Sequence, residues 1–125
     1  MSELLSRESL EKRLRAIGEE RYHDKHPFHK LLHGGDATHA QVRAWVLNRY
    51  CYQCAIPRKD AALMSMATDS EFRREWRRRI EDHDGSDGVE GGIERWLKLA
   101  EGVGLDPDYV ASMEGALPIS KFATE

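Results

Sequence analysis

Apolar residues along this chain recur at intervals of three and four and almost nowhere alternate one by one, which is the signature of helices. Leu10, Leu14 and Ile17 form one stripe behind Ser6, a capping residue, and Gly18 weakens the end of that segment. Arg21 to His26 is a polar stretch, after which Pro27 opens a short helix closed by Gly34 and Gly35. Thr38-His39-Ala40-Gln41 reads as a capping box and starts a helix that should run to about Met66, kinked at Pro57. Asp69 or Ser70 caps the next helix, which ends near Asp84-Gly85. A loop rich in glycine and acid, Gly85 to Gly92, leads to the stripe Ile93, Trp96, Leu97, Ala100 and Val103, with Gly104 placed to end that helix. Asp106-Pro107 opens another, and residues 116–125 look like a loop entering a further helix. The chain is therefore expected to be all-α.

The helix from residue 38 to 66 carries the most chemistry. At about 100° per residue, Val42, Trp45, Ile56 and Leu63 fall within about 40° of Arg49, and Arg43 and Arg58 lie opposite. The expected buried face thus also contains Arg49, Tyr52, Gln53 and Asp60, with Lys59 on its margin. Charges on a core face need partners, a wet pocket or a ligand. One reading is a buried ion pair, for instance Arg49 with a carboxylate of another helix. The other is a pocket for an anionic molecule, since arginine forks onto carboxylates and lysine adds a point charge.

Composition narrows the function classes. With 125 residues the chain fits one domain, and a formal net charge of −3 offers nothing to nucleic acid or to an anionic membrane surface. No apolar run approaches the roughly 18 residues of a membrane helix, and the N-terminus has no secretory apolar region. Two cysteines three positions apart form no disulfide framework, so a reducing, cytoplasmic location is expected.

Four of the six histidines lie at positions 23, 26, 29 and 33. His29 and His33 have the spacing that could place two imidazoles on one metal, but no acidic ligand set accompanies them. No metal site is expected. His83-Asp84-Gly85 ends a helix at the mouth of the loop, and a histidine beside an acid suits proton transfer near neutral pH. Cys51 and Cys54 lie in mid-helix, away from the helix N-terminus that activates thiolates, and read as small core residues. The run Arg73 to Arg79 is flanked by Glu71, Glu75, Glu81 and Asp82 and reads as a solvated, ion-paired face.

Several segments in order carry a resemblance. Arg21-Tyr22-His23, His26-Pro27-Phe28-His29, Leu47-Asn48-Arg49-Tyr50, Ile80-Glu81-Asp82-His83-Asp84-Gly85 and Gly91-Gly92-Ile93-Glu94-Arg95-Trp96-Leu97 resemble the pyrroloquinoline-quinone synthase family, from about Leu4 to Phe122. The resemblance implies a helical bundle of the haem-oxygenase-like, thiaminase-II-like type, here its N-terminal part. Residues 1–125 would be one helical domain, the N-terminal half of a domain about twice that length. It implies a homodimer without haem or metal that performs the final step of pyrroloquinoline quinone synthesis. In that step a tricarboxylated quinone precursor is ring-closed and loses eight electrons, with molecular oxygen as acceptor and hydrogen peroxide as product. Carried onto matching positions, Tyr22, Arg49, Tyr52, Gln53 and Lys59 would bind substrate, His83 would be the principal base, and His23 would orient substrate or an oxygen species. Two features depart from the family. Position 51 is usually aromatic and 54 small, and the family's later helices supply further groups to the pocket.

Two alternatives stand beside this one. The chain could be a catalytically inactive half-length module that binds the quinone or a partner protein, or a metal-binding helical oxygenase using His23, His29 or His33. Half a bundle would leave an apolar seam open, so self-association is also expected.

Overall fold

The computed structural model describes residues 4–125, and these hold seven α-helices and no strand. They are α1 (Arg7–Arg21), α2 (Pro27–His33), α3 (His39–Met66), α4 (Ser70–Asp84), α5 (Gly92–Gly102), α6 (Pro107–Ser112) and α7 (Pro118–Phe122). A 3-10 turn, His23–Lys25, joins α1 to α2 where only a polar stretch was expected. The chain divides into two compact units, Met1–Thr38 and His39–Glu125, each taken here by itself.

The helix starts follow from local chemistry. Ser6 accepts from the Ser9 amide at 3.2 Å, Asp69 from Glu71 at 3.0 Å and Asp106 from Asp108 at 2.9 Å, satisfying amides that have no partner inside their helices. His26 does the same for α2, its Nδ1 accepting from the Phe28 amide at 3.1 Å. Gly104, at φ 86, closes α5 while the Leu105 amide reaches back to the Ala100 carbonyl. Gly18 does not end α1, which continues to Arg21. One glycine costs a helix only about 1 kcal/mol relative to alanine, too little to stop it.

In the second unit α3 is the spine against which α4, α5, α6 and α7 pack. Val46, Tyr50, Ala100 and Val110 form its buried core, enclosed by half-buried Val42, Trp45, Ile93, Trp96 and Leu97. Trp45 and Trp96 meet edge to face at 5.1 Å, and the Trp96 indole donates to the Val46 carbonyl at 2.9 Å. At its N-terminal end, His39 Nε2 donates to the Val103 carbonyl (2.8 Å) and Arg43 to the Gly104 carbonyl (3.3 Å). These side chains satisfy carbonyls left open at the end of α5.

The buried face of α3 is the expected one only in part: Ile56 and Asp60 of that stripe are buried, but the centre of the core lies to one side of it. Val46, Tyr50, Cys51, Ile56, Pro57 and Asp60 are buried, whereas Arg49 and Gln53 are half-buried and Tyr52, Lys59 and Leu63 are exposed. The core face is centred near Val46 and Tyr50, turned by roughly a quarter of the helix circumference from Arg49. The reason is packing: Val46 and Tyr50 meet Ala100 and Val110, and helix α3 carries apolar residues on nearly every side.

Candidate functional site

The exposed side of α3 brings three of the expected residues together. The Arg49 guanidinium lies 4.3 Å from the centre of the Tyr52 ring, and Lys59 Nζ lies 5.9 Å from the same centre. Spacings of three and seven residues place these side chains along one side of the helix, with both cations beside one aromatic ring. Among the described residues neither cation has a carboxylate at ion-pair distance, so the expected pairing of Arg49 is absent.

Two cavities open beside this trio. One, of about 390 Å³, is lined by Tyr52, Ile56, Lys59 and residues 123–125, and the other, of about 470 Å³, by Trp45, Asn48, Arg49, Tyr52, Ser120 and Thr124. Tyr52 belongs to both. Their far wall comes from α7 and the residues after it, held in place by Asn48. Its Oδ1 accepts from the Leu117 amide (2.8 Å) and Ser120 Oγ (3.0 Å), while its Nδ2 donates to the Ala44 carbonyl (2.8 Å). Neither cavity includes Gln53 or His83.

Asp60 is the buried ion pair that the pattern called for, with a partner the pattern did not name. Its carboxylate, 1% exposed, accepts from Trp76 Nε1 at 3.1 Å and from Arg79 Nε at 3.2 Å. Trp76 is also stacked on Phe72, with the Arg79 guanidinium 5.0 Å from its ring. The arginine run is therefore not uniformly a solvated face. Arg77 and Arg78 pair with Glu81 and Glu75 at the surface, but Arg79 reaches inward and Arg73 binds the Ala67 carbonyl. A signal existed: Asp60 and Trp76 are equidistant in sequence from Thr68, as an antiparallel pair joined by a short turn requires.

His83 stands one turn beyond Arg79 on α4. Its Nδ1 lies 2.8 Å from the Arg79 carbonyl, so Nδ1 carries the proton and the lone pair of the neutral ring is on Nε2. The chain beyond it folds back tightly. Gly85, at φ 87, lets the backbone reverse, and Ser86 and Val89 exchange backbone hydrogen bonds across the loop tip. Gly91 is buried so closely that a Cβ there would lie 2.3 Å from the Gly85 nitrogen. A Cβ at Gly92 would lie 3.2 Å from the Asp82 carbonyl and 3.9 Å from His83 Cδ2.

Tyr50 and Cys54 occupy the core side of α3. Burial, then a hydrogen bond to Cys54, pushes the Tyr50 phenol up to about 12. Burial likewise pushes the Cys54 thiol up.

Tyr22 and His23 lie in the first unit. Their rings are 4.2 Å apart, and His23 continues a row of imidazoles, 5.3 Å from His29, which is in turn 4.1 Å from His33. Burial first, then His33 and His23, holds His29 below the usual histidine range. No three His, Cys, Asp or Glu side chains gather into a metal site among the described residues. Among the described residues no helix is long and apolar enough to cross a membrane.

A protein-family model described as the TENA/THI-4/PQQC family matches residues 11–125. Curated relatives named pyrroloquinoline-quinone synthase are similar to almost the whole chain. The protein from Ruegeria pomeroyi is 68% identical over 97% of this chain, and that from Rhizobium rhizogenes 62% identical over 100% of it. A third, from Cereibacter sphaeroides, is 59% identical over 98%. The chain covers 50%, 51% and 48% of these three, about half the length of each.

Proposed function

The chain belongs to the TENA/THI-4/PQQC family, with its all-α, haem-oxygenase-like fold, and on that premise we propose that it serves pyrroloquinoline quinone biosynthesis. The proposed reaction is ring closure and eight-electron oxidation of a tricarboxylated quinone precursor. Molecular oxygen accepts the electrons and leaves as hydrogen peroxide, without a metal or organic cofactor. The enzyme is assigned to the cytoplasm as a homodimer. Leu117, just before α7, and Ile119 and Phe122 on it are exposed and offer apolar surface for association.

The observation that carries this reading is the pair of cations on the Tyr52 ring, without carboxylate partners among the described residues, beside cavities of a few hundred Å³. An aromatic polycarboxylate supplies what that arrangement lacks: negative charge for Arg49 and Lys59 and a flat ring against Tyr52. Gln53 is assigned a neutral hydrogen bond to substrate. His83 Nε2 is assigned as the base that removes protons from carbons activated by the quinone, and the electron pair left behind passes to oxygen. Tyr22 and His23, in the first unit, are assigned roles in binding and orienting the substrate.

A second reading is favoured by the chain's span, about half that of its relatives. On it the chain keeps the anion groove and binds the quinone without turning it over. Both are tested by incubating the chain, and separately a full-length family member, with the precursor in air while quinone absorbance and peroxide are followed. Both signals from the chain establish the oxidase. Signals from the full-length protein alone, with the quinone still bound by the chain, establish the module. If His83→Asn in an active form turns over unchanged, His83 is not the base.

A further inference from the structure

Beside the cationic groove, a smaller cavity of about 190 Å³ is lined by Cys51, Cys54 and Met113, with Arg58 and Lys121 at its edge. Helix geometry puts the Cα atoms of Cys51 and Cys54 about 5 Å apart and about 60° apart around α3, so two thiols open on one space. Cys51 is buried, Cys54 is half-buried, and neither is in a disulfide.

Met113 adds a third sulfur and an independent peculiarity. It sits at φ 60, the left-handed region, where every other residue at positive φ among those described is glycine. There it caps the C-terminal end of α6, its amide donating to the Val110 carbonyl, so the turn fixes where the methionine side chain leaves the backbone. Glycine would take the turn more readily but would remove the thioether from the cavity.

We propose that Cys51, Cys54 and Met113 bind a soft, thiophilic monovalent cation of the Cu(I) type. Thiolate and thioether donors select Cu(I), whereas zinc sites take four nitrogen or sulfur ligands, or three and a water. Two thiolates around one monovalent cation leave a net negative charge, and Arg58 and Lys121 offset it together with that of Glu125, which lines the same cavity. A thiol must lose its proton to ligate, so each cation bound displaces protons to solvent.

The test is anaerobic titration of the chain with Cu(I) against the indicator bicinchoninate. One equivalent should move from indicator to protein, with a thiolate-to-copper band in the ultraviolet and proton release into weak buffer. Cys54→Ser should weaken uptake more than about 100-fold, and Met113→Leu by less. Copper left wholly with the indicator, or equal uptake by the folded Cys54→Ser variant, overturns the proposal. If the serine variants do not fold, X-ray absorption of copper-loaded wild-type protein decides. A sulfur-only shell sustains the site, and nitrogen or oxygen ligands overturn it.

Discussion

Arg79 donates to Asp60 at 3.2 Å across α3 and α4, and the two partners are unequally exposed, 46% for the arginine side chain and 1% for the aspartate. That inequality decides which deletion hurts more. Removing the arginine leaves a buried carboxylate with only the Trp76 indole, whereas removing the charge leaves an arginine that can turn to water. Arg79→Ala should cost about 3 kcal/mol and Asp60→Asn less. The double variant should lose less than the sum of both. Urea unfolding of the four proteins measures this, and equal single losses would refute it.

Asn48 holds α7 with one carboxamide, and α7 contributes no buried residue of its own. Asn48→Ala should therefore act locally. Amides of residues 117–122 should exchange faster, by about 1–2 kcal/mol of lost protection, with little change in the global midpoint. Unaltered exchange in that segment would show that other contacts hold it.

Tyr50 keeps its proton to about 12 in the folded chain, against 10.0 for the free phenol. The folded state thus binds the proton more tightly, and the resulting stability is complete below pH 10 and lost as pH rises towards 12. Urea midpoints between pH 9 and about pH 11 should fall more steeply in wild-type protein than in Tyr50→Phe. Parallel slopes would place the alkaline sensitivity elsewhere.

His29 has the opposite sign. Its pKa lies below 6.5, so the unfolded segment takes up a proton before the folded one does, and acidification through 6.5 loosens α2. Nuclear magnetic resonance should find His29 titrating below 6.5. His33→Gln should raise that midpoint only in part, because burial outranks the neighbouring charge. A wild-type midpoint at or above 6.5 would contradict the packing described for α2.

Arg49→Gln and Lys59→Gln should each weaken binding of an aromatic tricarboxylate about 10- to 100-fold, as expected for a hydrogen bond to a charged group. Added salt should weaken the wild-type protein more than either variant. Calorimetry at two salt concentrations reads both effects, and affinities that do not move would remove the groove from the proposed site.

Helix starts and stops were legible because each is written locally: Ser6, Asp69, Asp106-Pro107 and Gly104 act within a turn of where they stand. The buried side of α3 was legible only in part, at Ile56 and Asp60, because a helix apolar on nearly all sides does not say which stripe its neighbours will cover. Ala100 and Val110 made that choice by packing on Val46 and Tyr50. The grouping of Arg49, Tyr52 and Lys59 followed from spacing within one helix and survived the change of face. Arg79 went unrecognised because its partner lies on another helix, and a run of arginines hides the one that turns inward. His83 was placed with the groove by resemblance and Gln53 by helical spacing and resemblance together, and the two groove cavities contain neither.

The glycines after His83 divide their loop into parts with opposite tolerances. At Gly91 a single carbon would strike backbone, whereas at Gly88, at the exposed tip, the space within 4 Å is open and only the left-handed backbone, at φ 74, resists a side chain. A reporter peptide or fluorophore spliced in after Asp87 would thus ride on a hinge closed at its base, close in sequence to His83.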